Sequence, residues 1–110
     1  MGNNLNQSSI LEGTIEFWIS ENKVDFQSNE AIQLLQVNPL GGSILIIKDV
    51  DRKIKVFHVY IGKGRTDVEC DVSTLDKSKK HMIAFTWSVG NKELKLYIDG
   101  ELKSTATITY

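Results

Sequence analysis

Asp67, Glu69 and Asp71 alternate along the run Thr66–Val72, so on an extended backbone their carboxylates share one face. Paired carboxylates on a strand face can act across a glycosidic bond, or hold calcium together with carbonyl oxygens. Val68, Cys70 and Val72 take the other face, and the plainer reading is a half-buried strand with its polar side in water. Asp49-Val50-Asp51 is a second carboxylate pair. It lacks the glycine and closing Glu of an EF-hand loop, and turn formation explains it more simply. Cys70 is the only cysteine, so no internal disulfide can form, and a small core residue is the first reading. A catalytic thiolate would need His58 or His81 as its base, and no cysteine-enzyme motif surrounds it. Neither histidine has metal-ligand spacing to the other or to Cys70. Gly62-Lys63-Gly64-Arg65 precedes a strand rather than a helix N-terminus, so it is no phosphate loop.

The remaining chemistry is aromatic. Flat Trp and Tyr rings suit the apolar C–H faces of sugars, with amides, carboxylates or lysines nearby for the hydroxyls. Trp18 shares its parity with Glu16, opposite the Ile15 row, and Tyr97 opposes Leu94, Leu96 and Ile98. Lys55, His58 and Tyr60 lie on a segment whose two faces do not separate by pattern. The candidate ligand-binding set is therefore Glu16, Trp18, Lys55, His58, Tyr60 and Tyr97. Because tryptophan is highly buried on average, packing is the first reading of Trp18 and ligand stacking the second.

These side chains must be positioned by strands. Period-two alternation marks Thr14–Ser20, with Ile15, Phe17 and Ile19 on one face. Further strands are predicted over Ala31–Val37, Ser43–Lys48, Lys53–Ile61, Thr66–Val72, His81–Ser88, Glu93–Asp99 and Glu101–Thr109. Asp99-Gly100 between alternating runs is a strong hairpin signal, because a primed turn needs positive φ at both central residues. The segment Asn38–Gly42 is a turn, and Ser73–Lys80 is a polar connection with room for one helical turn capped by Ser73. Eight short strands without an amphipathic helix predict an all-β antiparallel fold, a β-sandwich or jelly roll. Its expected core is Ile15, Phe17, Ile19, Leu35, Ile44, Ile46, Val68, Cys70, Ile83, Phe85, Leu94, Leu96 and Ile98. Residues 1–12 read as a flexible lead-in and residues 13–110 as one domain.

Composition narrows the function. Thirteen basic and fourteen acidic side chains in 110 residues give a net charge of −1, a poor footprint for nucleic acid. Lys77-Ser78-Lys79-Lys80, the one basic cluster, reads as a solvated turn. No apolar run approaches the ~20 residues of a membrane-spanning helix. Met1–Ile10 carries no signal-peptide core. Met1-Gly2 begins like a myristoylation site but has Asn6 where Ser or Thr belongs. Asn6-Gln7-Ser8 has the form of a glycosylation sequon.

His81–Trp87 (HMIAFTW) followed by Leu94–Leu102 (LKLYIDGEL) resembles the signature "WHHVAVTWD … LKLYVDG" of laminin-G-like jelly rolls in the concanavalin A-like lectin/glucanase superfamily. Gly13–Ile19 (GTIEFWI) is similar to the "TIEFWV" strand near the start of such domains. The resemblance covers both ends of Gly13–Gly100 and is loose between them. It implies a glycan ligand, a packed structural role for His81, calcium at a rim with no ligand set that maps onto this chain, and an extracellular or cell-surface setting. Glucanases of the superfamily carry Glu-x-Asp-x-x-Glu on one strand. Glu69 and Asp71 fit, but Thr74 stands at the second glutamate, so the general acid is missing and hydrolysis is not expected. The expected function is a non-catalytic glycan-binding module. The alternative is a structural or protein-interaction sandwich. Family members are usually longer, which implies neighbouring strands for the ends of this sandwich. The last strand, without proline and with charges only at Glu101 and Lys103, is expected to support a homodimer.

Overall fold

A computed structural model describes residues 9–110 of the chain. The myristoylation-like start and the Asn6 sequon lie outside the described residues. Eight strands appear in chain order: β1 (Glu12–Ile19), β2 (Ile32–Val37), β3 (Gly42–Lys48), β4 (Lys53–Tyr60), β5 (Gly64–Asp71), β6 (His81–Ser88), β7 (Glu93–Ile98) and β8 (Glu101–Thr107). They form two antiparallel four-stranded sheets, sheet A in the order β1-β6-β7-β8 and sheet B in the order β2-β3-β4-β5. No helix is present among the described residues, so none is long and apolar enough to cross a membrane. The Ser73 helical turn is absent. Asp71 Oδ1 instead accepts the Ser73 N–H at 2.8 Å, a side-chain turn that competes with helix.

Alternation makes the sandwich. On sheet A, β6 sends Ile83, Phe85 and Trp87 inward, and β7 sends Leu94, Leu96 and Ile98. Sheet B answers with Ile44 and Ile46 from β3, Ile54 and Val56 from β4, and Val68 from β5. The Asp99-Gly100 turn has φ of 53° and 84°, the double positive geometry of a tight hairpin. It aligns β7 with β8 and thereby fixes which side chains face in.

All thirteen expected core residues lie in the core or pack against it. Several further members come from places that alternation does not reach. Ile10, in the expected lead-in, is 1% exposed, and its N–H bonds to the Leu40 carbonyl at 2.9 Å. Val24 and Phe26 turn inward from the long β1–β2 connection. Lys48 is fully buried; its ammonium donates to Ser28 O, Ser28 Oγ and Glu30 O at 2.7–2.9 Å, tying that connection to the end of β3. Three oxygen partners match the three donors of an ammonium, which is how a buried charge becomes tolerable.

Gly13 is required by close approach rather than by φ. A Cβ there would lie 2.5 Å from Cζ2 of Trp87, so the indole uses the space a side chain would take. Gly13→Ala is expected to cost about 1–3 kcal/mol through overpacking. A urea unfolding midpoint equal to that of the parent chain would contradict this.

Candidate functional site

The outer face of sheet A carries a shallow groove of about 260 Å³, lined by Thr14, Glu16, Met82, Ala84, Thr86, Tyr97 and Gly100. Strand register builds it. Glu16 of β1 stands opposite Ala84 of β6, and Ala84 stands opposite Tyr97 of β7, so one row crosses three strands with the smallest side chain in the middle. Thr14 opposes Thr86 in the row on one side, and Trp18 opposes Met82 on the other. Ala84 is the floor, and larger neighbours are the walls. Trp18 also borders a second hollow of about 360 Å³ with Phe17, Lys23, Val24 and Ile32.

Trp18 is 64% exposed, so the packing reading of this residue is replaced. As the outermost strand of sheet A, β1 has no neighbour to cover the indole. The Lys80 ammonium lies 5.9 Å from the ring centre, within cation–π range. Thr14, Glu16, Thr86 and Tyr97 make no side-chain hydrogen bond among the described residues. Their polar atoms are therefore available to a ligand.

Glu16, Trp18 and Tyr97 thus come together, while the other three sequence candidates do not. Lys55 lies on the outer face of the opposite sheet, its ammonium 3.0 Å from both Asp49 and Asp51. Those hydrogen bonds raise the lysine pKa and hold Asp49 below its ordinary value. The carboxylate pair considered for calcium thus clasps its own cation. The described residues bring together no group of three His, Cys, Asp or Glu side chains able to hold a metal.

His58 is fully buried and cannot meet a ligand at the surface. Burial lowers its pKa despite the opposing pull of backbone carbonyls, so the ring is neutral. Nε2 donates to the Ile10 carbonyl at 2.9 Å, which leaves Nδ1 an acceptor 2.8 Å from the Tyr110 hydroxyl, whose one proton is shared with the His58 carbonyl at 3.0 Å. Tyr60 is half-buried and packs edge-on against Tyr110, with ring centres 6.1 Å apart. His58 thus ties the two ends of the described chain together, and Tyr60 packs against the second of them. Met82, Ala84, Thr14, Thr86 and Lys80 were missed by sequence reasoning. Their parity was legible, but the register that aligns them with Glu16 and Tyr97 was not.

On β5, the strand nearest the glucanase pattern, the carboxylates already have partners. Glu69 is bound to Lys53 at 2.8 Å, and Asp71 is held low by the Ser73 hydroxyl and N–H. Asp49, Asp71, Asp76 and Asp99 all shift downward, away from what a general acid needs. Burial pushes the Cys70 thiol up to about 11, so it is an unreactive packing group.

His81 fastens the rim. Nδ1 lies 2.7 Å from Asp99 Oδ2, and Nε2 lies 2.7 Å from the Asp76 carbonyl. Both partners are acceptors, so only the imidazolium satisfies both. Asp99 Oδ1 accepts the Met82 N–H at 2.8 Å, and Phe26 packs edge-on to the imidazole. The 72–80 connection, the β7–β8 turn and the β1–β2 connection therefore meet at one ring, beside Lys80 and Gly100.

No protein-family model matches this chain, and none of the curated proteins searched matches it. Solved structures do resemble it. The CBM40, a carbohydrate-binding module, of Ruminococcus gnavus IT-sialidase bound to alpha2,3 sialyllactose superposes with a TM-score of 0.67 at 18% identity. The match covers 93% of this chain and 56% of that one. The same module without a ligand in its description gives 0.66 at 17% identity, again over 93% and 56%. Bound to alpha2,6 sialyllactose it gives 0.64 at 17% identity over 90% and 56%. This chain thus shares a β-sandwich fold with those modules and spans just over half their length.

Burial pulls the His81 pKa down, but the Asp99 and Asp76 oxygens outweigh it and the net shift is upward. A raised folded pKa gives stability that is complete below the unfolded value of about 6.5 and lost as pH rises through the folded value. For Asp99, burial pushes up, the His81 and Met82 hydrogen bonds prevail, and the net shift is downward, so its contribution is lost only in acid. Urea midpoints measured from about pH 6 to 9 should therefore fall, and His81→Gln should flatten that fall. An equal slope in the variant would show that His81 does not carry it.

Proposed function

We propose that this domain is a non-catalytic glycan-binding module that holds its ligand on the outer face of sheet A. The observation that carries the reading is the groove itself, half-buried Tyr97 beside an Ala84 floor with Glu16, Thr14 and Thr86 free to bond hydroxyls, and exposed Trp18 at its border opposite Met82. Aromatic faces would stack on sugar C–H surfaces, and the free polar groups would fix ring orientation. The fold likeness to a module bound to sialyllactose supports a saccharide ligand. The HMIAFTW and LKLYIDGEL segments, which form β6 and the β7–β8 hairpin, support placing the sandwich among the laminin-G-like jelly rolls.

The absence of a general acid at Thr74, together with the low carboxylates around it, supports binding without hydrolysis. Any activity of a longer protein would then reside outside this sandwich.

A glycan array followed by calorimetry on the best ligand tests the reading, with alpha2,3 and alpha2,6 sialyllactose and unsialylated lactose among the probes. Trp18→Ala should weaken binding about tenfold or more, equivalent to ~1.4 kcal/mol. Lys55→Ala, on the opposite face, should leave affinity within about twofold. Equal losses in both variants, or no glycan bound at any concentration tested, would overturn the assignment.

A further inference from the structure

We infer that two copies of this chain join through their β1 edges, so that sheet A continues across a two-fold axis into sheet A of the partner. Four strands lie at sheet edges: β1 and β8 in sheet A, β2 and β5 in sheet B. Native edges are guarded by bulges, charges, proline or cover, because their free N–H and C=O groups otherwise recruit another strand. Three of these edges are guarded. In β2 the register slips between Gln33 and Leu35, leaving Leu34 as an extra residue. In β8 it slips where Lys103 has no partner, next to exposed Glu101. Outward along β5 stand Arg65, Asp67, Glu69 and Asp71, and Tyr110 covers Gly64.

The unguarded edge is β1. It pairs with β6 through eight unbroken steps, from Glu12↔Ser88 to Ile19↔His81. It has no bulge, no proline and no lysine, and its only charges are Glu12 and Glu16. Ser9 bridges to Glu12 at its first residue; from Thr14 to Trp18 no backbone hydrogen bond among the described residues reaches its other side. Beside it the sandwich opens into the hollow lined by Phe17, Ile19, Val24, Ile32 and Leu34.

A second copy of β1 is a suitable occupant because the strand is complementary to itself. An antiparallel pair centred on Phe17 sets Phe17 against its twin, Ile15 against the partner copy's Ile19, and Glu16 against the partner copy's Trp18. Centred on Ile15, the pair sets Glu16 against Thr14. Neither register opposes Glu16 to itself, and both keep apolar side chains on the core face. The count of open edges also decides the outcome. Two open edges in one sheet would pair head to tail and propagate, whereas one open edge can only close into a dimer. An antiparallel join about a two-fold axis leaves both outer faces of sheet A on the same side, so the two Trp18 grooves open together.

Sedimentation equilibrium and amide hydrogen exchange on the unmodified chain, from about one to several hundred micromolar, test this. The expected result is a species of twice the 12.4 kDa chain mass, with exchange in β1 slowing as concentration rises and exchange in β2, β5 and β8 unchanged. A single species of the chain mass across the whole range would overturn the inference. So would a dimer whose concentration-dependent protection falls on another strand. Neither result depends on whether a glycan binds, so the outcome stands apart from the proposed function.

Discussion

Two sheets with one apolar face each can leave water only by covering one another, and that mutual burial governs everything else in this chain. The inward row Ile83, Phe85 and Trp87 has no other place to go than against Ile44, Ile46, Ile54 and Val56. Alternation then dictates the outer rows without further choice. Met82, Ala84 and Thr86 face out because Ile83 and Phe85 face in. The groove of sheet A is in this sense a by-product of the core, and its shape follows from which small residue falls at the centre of the outer lattice.

Closing the sandwich also traps polar groups, and each has a structural task. Lys48 holds the β1–β2 connection, His58 holds Ile10 and Tyr110, and His81 holds the rim beside the groove. Each finds partners for the groups it brings into the core, which is the condition for burial without a large penalty. The three tasks are done by different means. An ammonium uses carbonyls and a hydroxyl, a neutral imidazole uses one donor and one acceptor, and an imidazolium uses two donors. The same residue type is therefore shifted in opposite directions within one small domain, down at His58 and up at His81, according to whether a carboxylate is within reach.

The sequence was most readable where a local rule had no competitor. Asp99-Gly100 marked the hairpin, and strict alternation in β1, β5 and β7 separated core from surface. It was least readable in β4, where Phe57 and Val59 on the outer face are as apolar as Ile54 and Val56 on the inner one. That symmetry hid His58 in the core and made it look like a candidate ligand group. Ile10, Val24 and Phe26 were hidden for another reason: each sits among polar neighbours, and only tertiary packing turns it inward. Glu16, Trp18 and Tyr97 were legible as exposed-parity residues on two strands. The rest of the candidate site, Ala84 above all, depends on register, which a single sequence does not state.

The two outer faces are not equivalent, and their polar groups show why the groove belongs on sheet A. Sheet B presents Leu45, Ile47, Phe57 and Val59, but its charges already have partners at home. Arg65 lies over Phe57 at 5.0 Å and bonds Asp67, Lys53 meets Glu69, and Lys55 meets Asp49 and Asp51. A ligand there would have to displace contacts that the fold supplies to itself. Exposed ion pairs are individually weak, yet a lattice of them leaves no donor or acceptor waiting. On sheet A the reverse holds. Glu16, Thr14, Thr86 and Tyr97 have no protein partner among the described residues, and Trp18 has only a distant ammonium over its ring. Polar groups left to water beside an uncovered aromatic face can exchange that water for ligand hydroxyls without breaking protein contacts. The difference between the faces lies less in which residues are aromatic than in which polar atoms the fold has left unspent.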